Sequence, residues 1–194
     1  MNLIKKHGGT VLFTVLLLAY TVFVLLDTFV IPKGSKSVET ASGTSTTVAA
    51  ATDPVVTDTS YSDGTKTISI ETAQVDGTTY YVADIQLTSA DQLKTAFAQN
   101  TYGRNIKETT SQIASDNGAV LAINGDYYGF RDGGYVVRNG TAYRDTARSA
   151  GDDVALVVDT SGNFSIINES ETALSTVSNA WQVFCFGPAL IKDS

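Results

Sequence analysis

The chain of 194 residues contains one cysteine, one histidine, one tryptophan and three prolines. The single cysteine, Cys185, excludes any disulfide bond within the chain. The single histidine, His7, excludes cysteine–histidine and serine–histidine nucleophilic pairs and zinc sites with several histidines. Cys185 lies between Phe184 and Phe186, so we expect a buried, unreactive thiol.

Charged residues are also scarce, at 17% of the chain, and the formal net charge is -7. Nucleic-acid binding calls for clustered lysine and arginine, so we predict no nucleic-acid partner. The glycine-rich motifs that bind nucleotides and the Gly-x-Ser-x-Gly motif of hydrolases are absent, and no loop fits an EF-hand. We predict no cofactor and no metal site. The sequence leaves open a site in which oxygen ligands from separate parts of the chain hold calcium or magnesium.

The longest apolar run extends from Val11 to Ile31. As a helix it would measure about 30 Å, which matches the hydrocarbon core of a bilayer. Lys5 and Lys6 precede it and predict a cytoplasmic N-terminus, residues 1–10, with the C-terminal part outside the cytoplasm. We therefore expect a single-pass signal anchor in the cell membrane, with a cleaved signal peptide as the alternative.

Residues 32–60 are rich in small and hydroxylated side chains without periodicity, so we expect a flexible tether. Residues 61–194 alternate strands, hairpins and short helices, which predicts an α+β domain with a mixed sheet. We expect hairpin turns at Asp76-Gly77 and Asn139-Gly140. The expected strands are Lys66–Glu71, Thr79–Leu87, Ala119–Ile123, Tyr135–Arg138, Thr141–Arg144, Val154–Asp159, Asn163–Asn168 and Trp181–Phe186. The expected helices are Ser89–Ala98, Thr109–Asp116 and Glu171–Ser178.

The most informative stretch begins with the expected buried strand Ala119–Ile123 and changes abruptly to the polar sequence Asn124-Gly125-Asp126. Polar groups at the end of a strand are well placed to meet a ligand. Asn124 can donate and accept hydrogen bonds with sugar hydroxyls, and Asp126 can accept them. The alternative is a turn in which both side chains cap the end of the strand.

Aromatic and basic side chains follow in the same region. Tyr127, Tyr128 and Phe130 could stack on sugar rings or simply cover the end of a core. Four of the five arginines fall between positions 131 and 148. They indicate an edge that binds phosphate or carboxylate, or else solvated arginines on an exposed hairpin. The four are Arg131, Arg138, Arg144 and Arg148.

Three segments together resemble the phosphodiester glycosidase family, whose best-known member is the lysosomal enzyme that removes N-acetylglucosamine from a phosphate on mannose. Many bacterial relatives are named for exopolysaccharide biosynthesis. The segments are Ala-Ile-Asn-Gly-Asp-Tyr-Tyr at 122–128, Val-Val-Arg-Asn-Gly at 136–140 and Phe-Gly-Pro-Ala-Leu at 186–190. The resemblance covers about residues 65–194 and stops before two later family segments, one similar to Asp-Gly-Gly-Gly-Ser. We therefore expect this chain to hold only the front half of the family domain.

The resemblance implies a hydrolase that cleaves sugar–phosphate linkages in an exopolysaccharide or wall polymer. It implies a substrate site formed by Asn124, Gly125, Asp126 and Tyr127, with Arg138 holding phosphate. The principal catalytic carboxylate would come from the later segment, so no catalytic residue is assigned here. The alternative is a non-catalytic surface protein that binds glycan or organises polysaccharide assembly.

Overall fold

The computed structural model describes residues 3–38, 53–149, 151, 153–186 and 189. These residues form an α+β fold, as the sequence predicts, with one long N-terminal helix and several antiparallel sheets. The helices are α1 (Leu3–Phe29) and α2 (Thr110–Asp116). The strands are β1 (Lys33–Ser37), β2 (Val55–Val56), β3 (Ser60–Ser62), β4 (Lys66–Val75), β5 (Thr78–Leu87), β6 (Thr101–Arg104), β7 (Val136–Arg138), β8 (Thr141–Arg144), β9 (Val154–Asp159), β10 (Phe164–Asn168) and β11 (Ala180–Phe184).

The long helix α1 confirms the expected apolar helix at the N-terminus. Its segment Gly8–Phe29 is 22 residues long and apolar enough to cross a membrane by length and composition. None of that segment is buried against the rest of the protein. An apolar helix that is not buried in the protein is suited to association with lipid.

The chain divides into two compact units, and the first combines residues 1–39 with 97–123. In it, β1 pairs antiparallel with β6. The side-chain amide of Asn105 donates to the carbonyls of Thr28 (3.0 Å) and Ile31 (2.9 Å) at the end of α1. These bonds satisfy carbonyl groups that a helix end leaves without partners.

The second unit combines residues 40–96 with 124–194 and contains two antiparallel sheets. One sheet has the order β2-β3-β4-β5 and the other the order β10-β9-β11-β7-β8. In the second sheet β11 lies between two hairpins, where Val183 pairs with Val137 of β7 and with Val157 of β9. This insertion brings the end of β11 beside the β7–β8 hairpin.

The core of the second unit lies on the five-stranded sheet. Its buried members come from β7, β9, β11 and the residues next to them, and they are Tyr135, Val137, Ala155, Val157, Val183 and Cys185. Partly buried Ile167, Leu174, Val177 and Ala180 pack against them. Burial of the apolar residues of β7 and β9 thus stabilises the sheet to which the adjacent loops are connected.

The hairpin and α2 predictions are confirmed. Asn139 and Gly140 have φ values of 51° and 77°, the left-handed conformations that a tight two-residue hairpin turn requires. The same geometry occurs at Asp76-Gly77 between β4 and β5. Helix α2 starts after Thr109, whose side chain accepts from the Gln112 amide at 3.2 Å.

The predicted strand at Ala119–Ile123 is wrong: these residues form neither a strand nor a helix. Val120 and Leu121 are exposed, and Ile123 is 85% exposed. An apolar run becomes a strand only when a neighbouring strand accepts its backbone hydrogen bonds. Within the described residues, no strand pairs with this segment.

Two predicted helices are largely replaced by single turns. The helix expected at Ser89–Ala98 is a 3-10 turn at Ala90–Gln92, after which the Leu93 carbonyl accepts from Trp181 Nε1 at 2.8 Å. This tertiary contact uses a carbonyl that helix continuation would require. The helix expected at Glu171–Ser178 is reduced to a 3-10 turn at Leu174–Thr176.

The segment expected to be an unstructured tether contains strands where the structure describes it. Lys33–Ser37 is β1, and Val55–Val56 is β2, which pairs with β3. Residues 39–52 of the expected tether lie outside the described residues. Backbone pairing with β6 and β3 orders these polar stretches despite their low apolar content.

Candidate functional site

The loop from Asn124 to Arg131 holds most of the predicted site residues. Asn124 and Gly125 are exposed, and Tyr127 is 55% exposed. Asp126 differs from them, because its side chain is only 3% exposed. The loop therefore exposes the Asn124 amide, the Gly125 backbone and the Tyr127 ring to solvent. The Asp126 carboxylate points into the protein.

The inward carboxylate of Asp126 forms an ion pair with Arg138 at the end of β7. Arg138 Nη2 lies 2.5 Å from Asp126 Oδ1, and the arginine side chain is 5% exposed. The other oxygen, Oδ2, accepts from the backbone amide of Cys185 at 2.9 Å. One carboxylate thus joins the loop to the end of β7 and to the residue that directly follows β11.

Arg138 is held from several directions. Its Nη1 donates to the carbonyl of Val137 at 3.0 Å and to the carbonyl of Val183. Its guanidinium carbon lies 4.8 Å from the ring centre of Phe184 and 5.9 Å from that of Tyr128. At least three of its five N–H donors are therefore bonded within the protein.

These contacts join two of the three segments that were compared with the family, and they include a residue next to the third. Asp126 belongs to the first segment, Arg138 to the second, and Cys185 directly precedes the third. Of that third segment, Gly187, Pro188 and Leu190 lie outside the described residues. Residues up to 59 positions apart in the chain thus meet at one buried ion pair.

Arg144, one of the four clustered arginines, bonds to backbone carbonyl groups of the loop and its neighbours. From β8 its Nε donates to the Gly134 carbonyl at 2.6 Å, and its Nη1 donates to the carbonyls of Arg131 (2.7 Å) and Tyr128 (3.1 Å). One guanidinium therefore holds the loop at three points. The sequence shows that Arg144 lies four positions after the hairpin turn. It does not show which carbonyl groups accept hydrogen bonds from Arg144.

Arg131 is half-buried and lies beside Tyr127. Its Nη2 donates to the Tyr127 hydroxyl at 3.2 Å, and its guanidinium carbon lies 4.7 Å from the centre of the ring. This stacking orients the exposed ring and keeps a positive charge next to it. The pair forms an aromatic and cationic surface of the kind that suits a sugar bearing an anionic group.

The buried carboxylate of Glu169 accepts three hydrogen bonds next to this loop. It accepts from the backbone amides of Tyr135 and Arg148 and from Cys185 Sγ, each at 2.8 Å. Burial, followed by the hydrogen bond to Glu169, raises the pKa of the Cys185 thiol. The thiol is therefore protonated near neutral pH and unreactive, as the sequence analysis expected.

A cleft opens on the outer side of the same loop. Its volume is about 450 Å³, and one wall is Arg131, Asp132 and Gly133. The other wall is formed by residues 146–149. The walls are joined where the Gly134 amide donates to the Thr146 carbonyl at 2.9 Å.

Glycine is required where the walls of the cleft meet. A Cβ atom on Gly133 would lie 2.8 Å from the Ala147 carbonyl oxygen. Gly134 has a φ of 105°, a conformation that other residues rarely adopt. Among the described residues, no group of three or more histidine, cysteine, aspartate or glutamate side chains is arranged to hold a metal ion.

Comparison with known proteins adds no relatives. No protein-family model, no curated protein and no solved structure matches this chain.

Proposed function

We propose that this chain is a membrane-anchored protein of the phosphodiester glycosidase type, acting on sugar–phosphate linkages in an exopolysaccharide or wall polymer. The observation that carries the proposal is that the first two resembling segments meet at the Asp126–Arg138 ion pair, next to Cys185, which directly precedes the third. Two segments that share a buried ion pair are held next to each other. This proximity is expected if both segments contribute to a single site.

The proposed substrate surface is the exposed side of the loop. Asn124 and the backbone at Gly125 would hydrogen-bond sugar hydroxyls, and the Tyr127 ring would stack on the sugar. Asp126 and Arg138 would hold the loop in position through their ion pair. Rigid support from a sheet is what a binding loop needs to keep its geometry.

The proposed reaction breaks the bond between the sugar C1 and the phosphate oxygen. Water supplies the new oxygen at C1, and a phosphate monoester leaves with the bonding electrons. A phosphate monoester needs little proton donation to leave, so catalysis depends on stabilising the oxocarbenium-like state and placing the water. Carboxylates ordinarily do both.

The alternative, a non-catalytic glycan-binding protein, is favoured by the position of Asp126. Both of its oxygens are bonded, one to Arg138 and one to the Cys185 amide. A carboxylate engaged in this way does not activate water. Measuring binding and hydrolysis separately distinguishes the two functions.

The first prediction concerns Tyr127. The chain in lipid nanodiscs should bind hexose 1-phosphate methyl diesters, and we expect release of free sugar only from a form that also contains the later segment with the principal catalytic carboxylate. Tyr127→Ala should weaken this binding about tenfold, because a stacking surface is lost. The matched control is Tyr81→Ala on β5, which removes a ring that is 72% exposed away from the loop.

Binding without release of sugar, in the form that contains the later segment, would favour the non-catalytic alternative. Equal effects of the Tyr127 and Tyr81 substitutions would contradict the location of the site. Neither ring is buried, so both variants should keep the melting temperature of the parent protein within about 2 °C, as for surface changes generally.

The second prediction concerns the membrane. We propose that α1 remains attached and that the sheets lie on the extracytoplasmic side. Alkaline phosphatase fused after Ser60 should then be active and sediment with membranes, because α1 can span and two lysines precede its apolar part. An inactive fusion would contradict the orientation, and active enzyme released into solution would indicate a cleaved signal peptide.

A further inference from the structure

We infer that Asn124 is a site of spontaneous deamidation, at which the side-chain amide is converted to a carboxylate without an enzyme. The chain contains three Asn-Gly pairs, at Asn117-Gly118, Asn124-Gly125 and Asn139-Gly140. A glycine after asparagine favours this reaction, because glycine has no Cβ that restricts the approach of its nitrogen to the asparagine side chain. The three pairs differ in their contacts, and these contacts single out Asn124.

The reaction needs no partner other than water. The backbone nitrogen of Gly125 attacks Cγ of Asn124, and the new N–Cγ bond closes a succinimide ring. The side-chain nitrogen leaves as ammonia and takes up the proton that the Gly125 nitrogen loses. Water then adds to one of the ring carbonyls and opens the ring to aspartate or isoaspartate. The reaction therefore requires a Gly125 N–H outside any hydrogen bond and an Asn124 side chain that can turn toward it.

The Asn124-Gly125 pair meets both requirements. Both residues are exposed and lie in a stretch without regular secondary structure. Within the part of the chain that the structure describes, no hydrogen bond holds the Asn124 side chain or the Gly125 amide. Apart from the neighbouring residues in the chain, no atom would lie within 4 Å of a Cβ placed on Gly125. The pair therefore has the freedom to reach the geometry in which the ring closes.

The Asn139-Gly140 pair is held by contacts with distant residues. The Gly140 amide donates to the Trp181 carbonyl at 2.8 Å. The Asn139 side chain donates to the Thr95 carbonyl at 2.8 Å and accepts from Gln182 Nε2 at 2.8 Å. These bonds have to break before the Gly140 nitrogen can attack the Asn139 side chain. The same dipeptide is therefore protected at this position.

The Asn117-Gly118 pair is exposed, so exposure alone does not distinguish it from Asn124-Gly125. Its hydrogen bonds do. The Asn117 side chain donates to the Ile113 carbonyl at 2.8 Å, and the Gly118 amide donates to the Ser115 carbonyl at 3.2 Å. These bonds satisfy carbonyl groups at the end of α2. Asn117 should therefore react more slowly than Asn124.

The test incubates the full chain in nanodiscs at mildly alkaline pH and follows each Asn-Gly pair by peptide mass spectrometry. Asn124 should convert at least about tenfold faster than Asn139, because each hydrogen bond at Asn139 lowers the population of the reactive geometry severalfold. In urea with detergent, which disrupts these bonds, the three pairs should convert at similar rates. Equal rates in the folded protein, or a lead of Asn124 that is unchanged in urea, would overturn the inference.

A variant of the glycine tests the assigned step. Gly125→Ala should slow conversion at Asn124 at least about tenfold, because the added Cβ restricts the approach of the backbone nitrogen. The position has room for this Cβ, so the variant should fold normally. Conversion at Asn117 and Asn139 should stay the same and serves as the internal control. An unchanged rate at Asn124 would contradict attack by the Gly125 nitrogen.

Deamidation would also alter the proposed substrate surface, a consequence that rests on the proposed function. The new carboxylate repels phosphate, so Asn124→Asp should weaken binding of glucose 1-phosphate about threefold, the size of an exposed charge interaction. Conversion at Asn124 without any binding of glucose 1-phosphate by fresh protein would support the modification site and contradict the proposed substrate. Binding by fresh protein without conversion at Asn124 would contradict the modification site and leave the proposed function.

Discussion

Replacing Arg138 with alanine should lower the free energy of unfolding by about 3 to 5 kcal/mol. The substitution leaves the Asp126 carboxylate buried without its counter-ion, and a buried unpaired charge is strongly destabilising. It also removes the donors to the Val137 and Val183 carbonyls. Urea unfolding of the full chain, followed by tryptophan fluorescence, measures the change, since Trp181 lies on the same sheet.

Two controls separate the ion pair from general effects. Arg104→Ala should stay within about 0.5 kcal/mol of the parent protein, as exposed substitutions do. The double variant Asp126→Asn with Arg138→Met should cost less than the sum of the single changes, because it leaves no unpaired charge. A loss below about 1 kcal/mol for Arg138→Ala would contradict the buried pair.

Replacing Glu169 with alanine should cost about 3 kcal/mol of stability. Glu169 is 2% exposed and accepts from the amides of Tyr135 and Arg148 and from the Cys185 thiol. Removing it leaves buried donors without this acceptor, and each such donor carries a desolvation cost. The matched control is Glu171→Ala, two residues further along and exposed, which should be nearly neutral.

The thiol provides an independent readout of the same change. The hydrogen bond from Cys185 to Glu169 helps to raise the pKa of the thiol, so removing the carboxylate should lower that pKa. A larger thiolate fraction reacts faster with a disulfide reagent at neutral pH. Stability loss without faster reaction of Cys185 would mean that Glu169 does not act through the contacts described.

Local signals in the sequence predicted the hairpins and α2 well. Asn139-Gly140 adopts left-handed conformations that these residue types accept most readily, so the two residues themselves favour the turn. The start of α2 depends on Thr109 and its end on Gly118, whose φ is 59°. Where the contacts that determine an element lie within a few residues of one another, the sequence is sufficient to predict that element.

The failures involve contacts that are distant in the chain. The segment Ala119–Ile123 has the composition of a strand, but a strand also needs a partner that composition cannot reveal. The helix expected after Ser89 gives way because Leu93 bonds to Trp181, 88 positions later. Propensity over a short window cannot account for such a tertiary contact.

The candidate site shows the same division. The exposed members Asn124, Gly125 and Tyr127 follow from the turn sequence that contains them. The inward orientation of Asp126 does not, because it depends on β11 lying between β7 and β9 and bringing the Cys185 amide within reach. Sheet order is a property of the whole fold, and the sequence pattern alone left it undetermined.

The central proposal is that a sugar phosphate binds at the exposed loop from Asn124 to Arg131. Hydroxyl-radical footprinting of the full chain with glucose 1-phosphate tests this directly, because it reports the exposure of single aromatic side chains. Tyr127 and Phe130, which are 55% and 71% exposed, should become protected, while Tyr81 and Phe164 should not change. Equal protection of all four rings, or of none, would contradict the account.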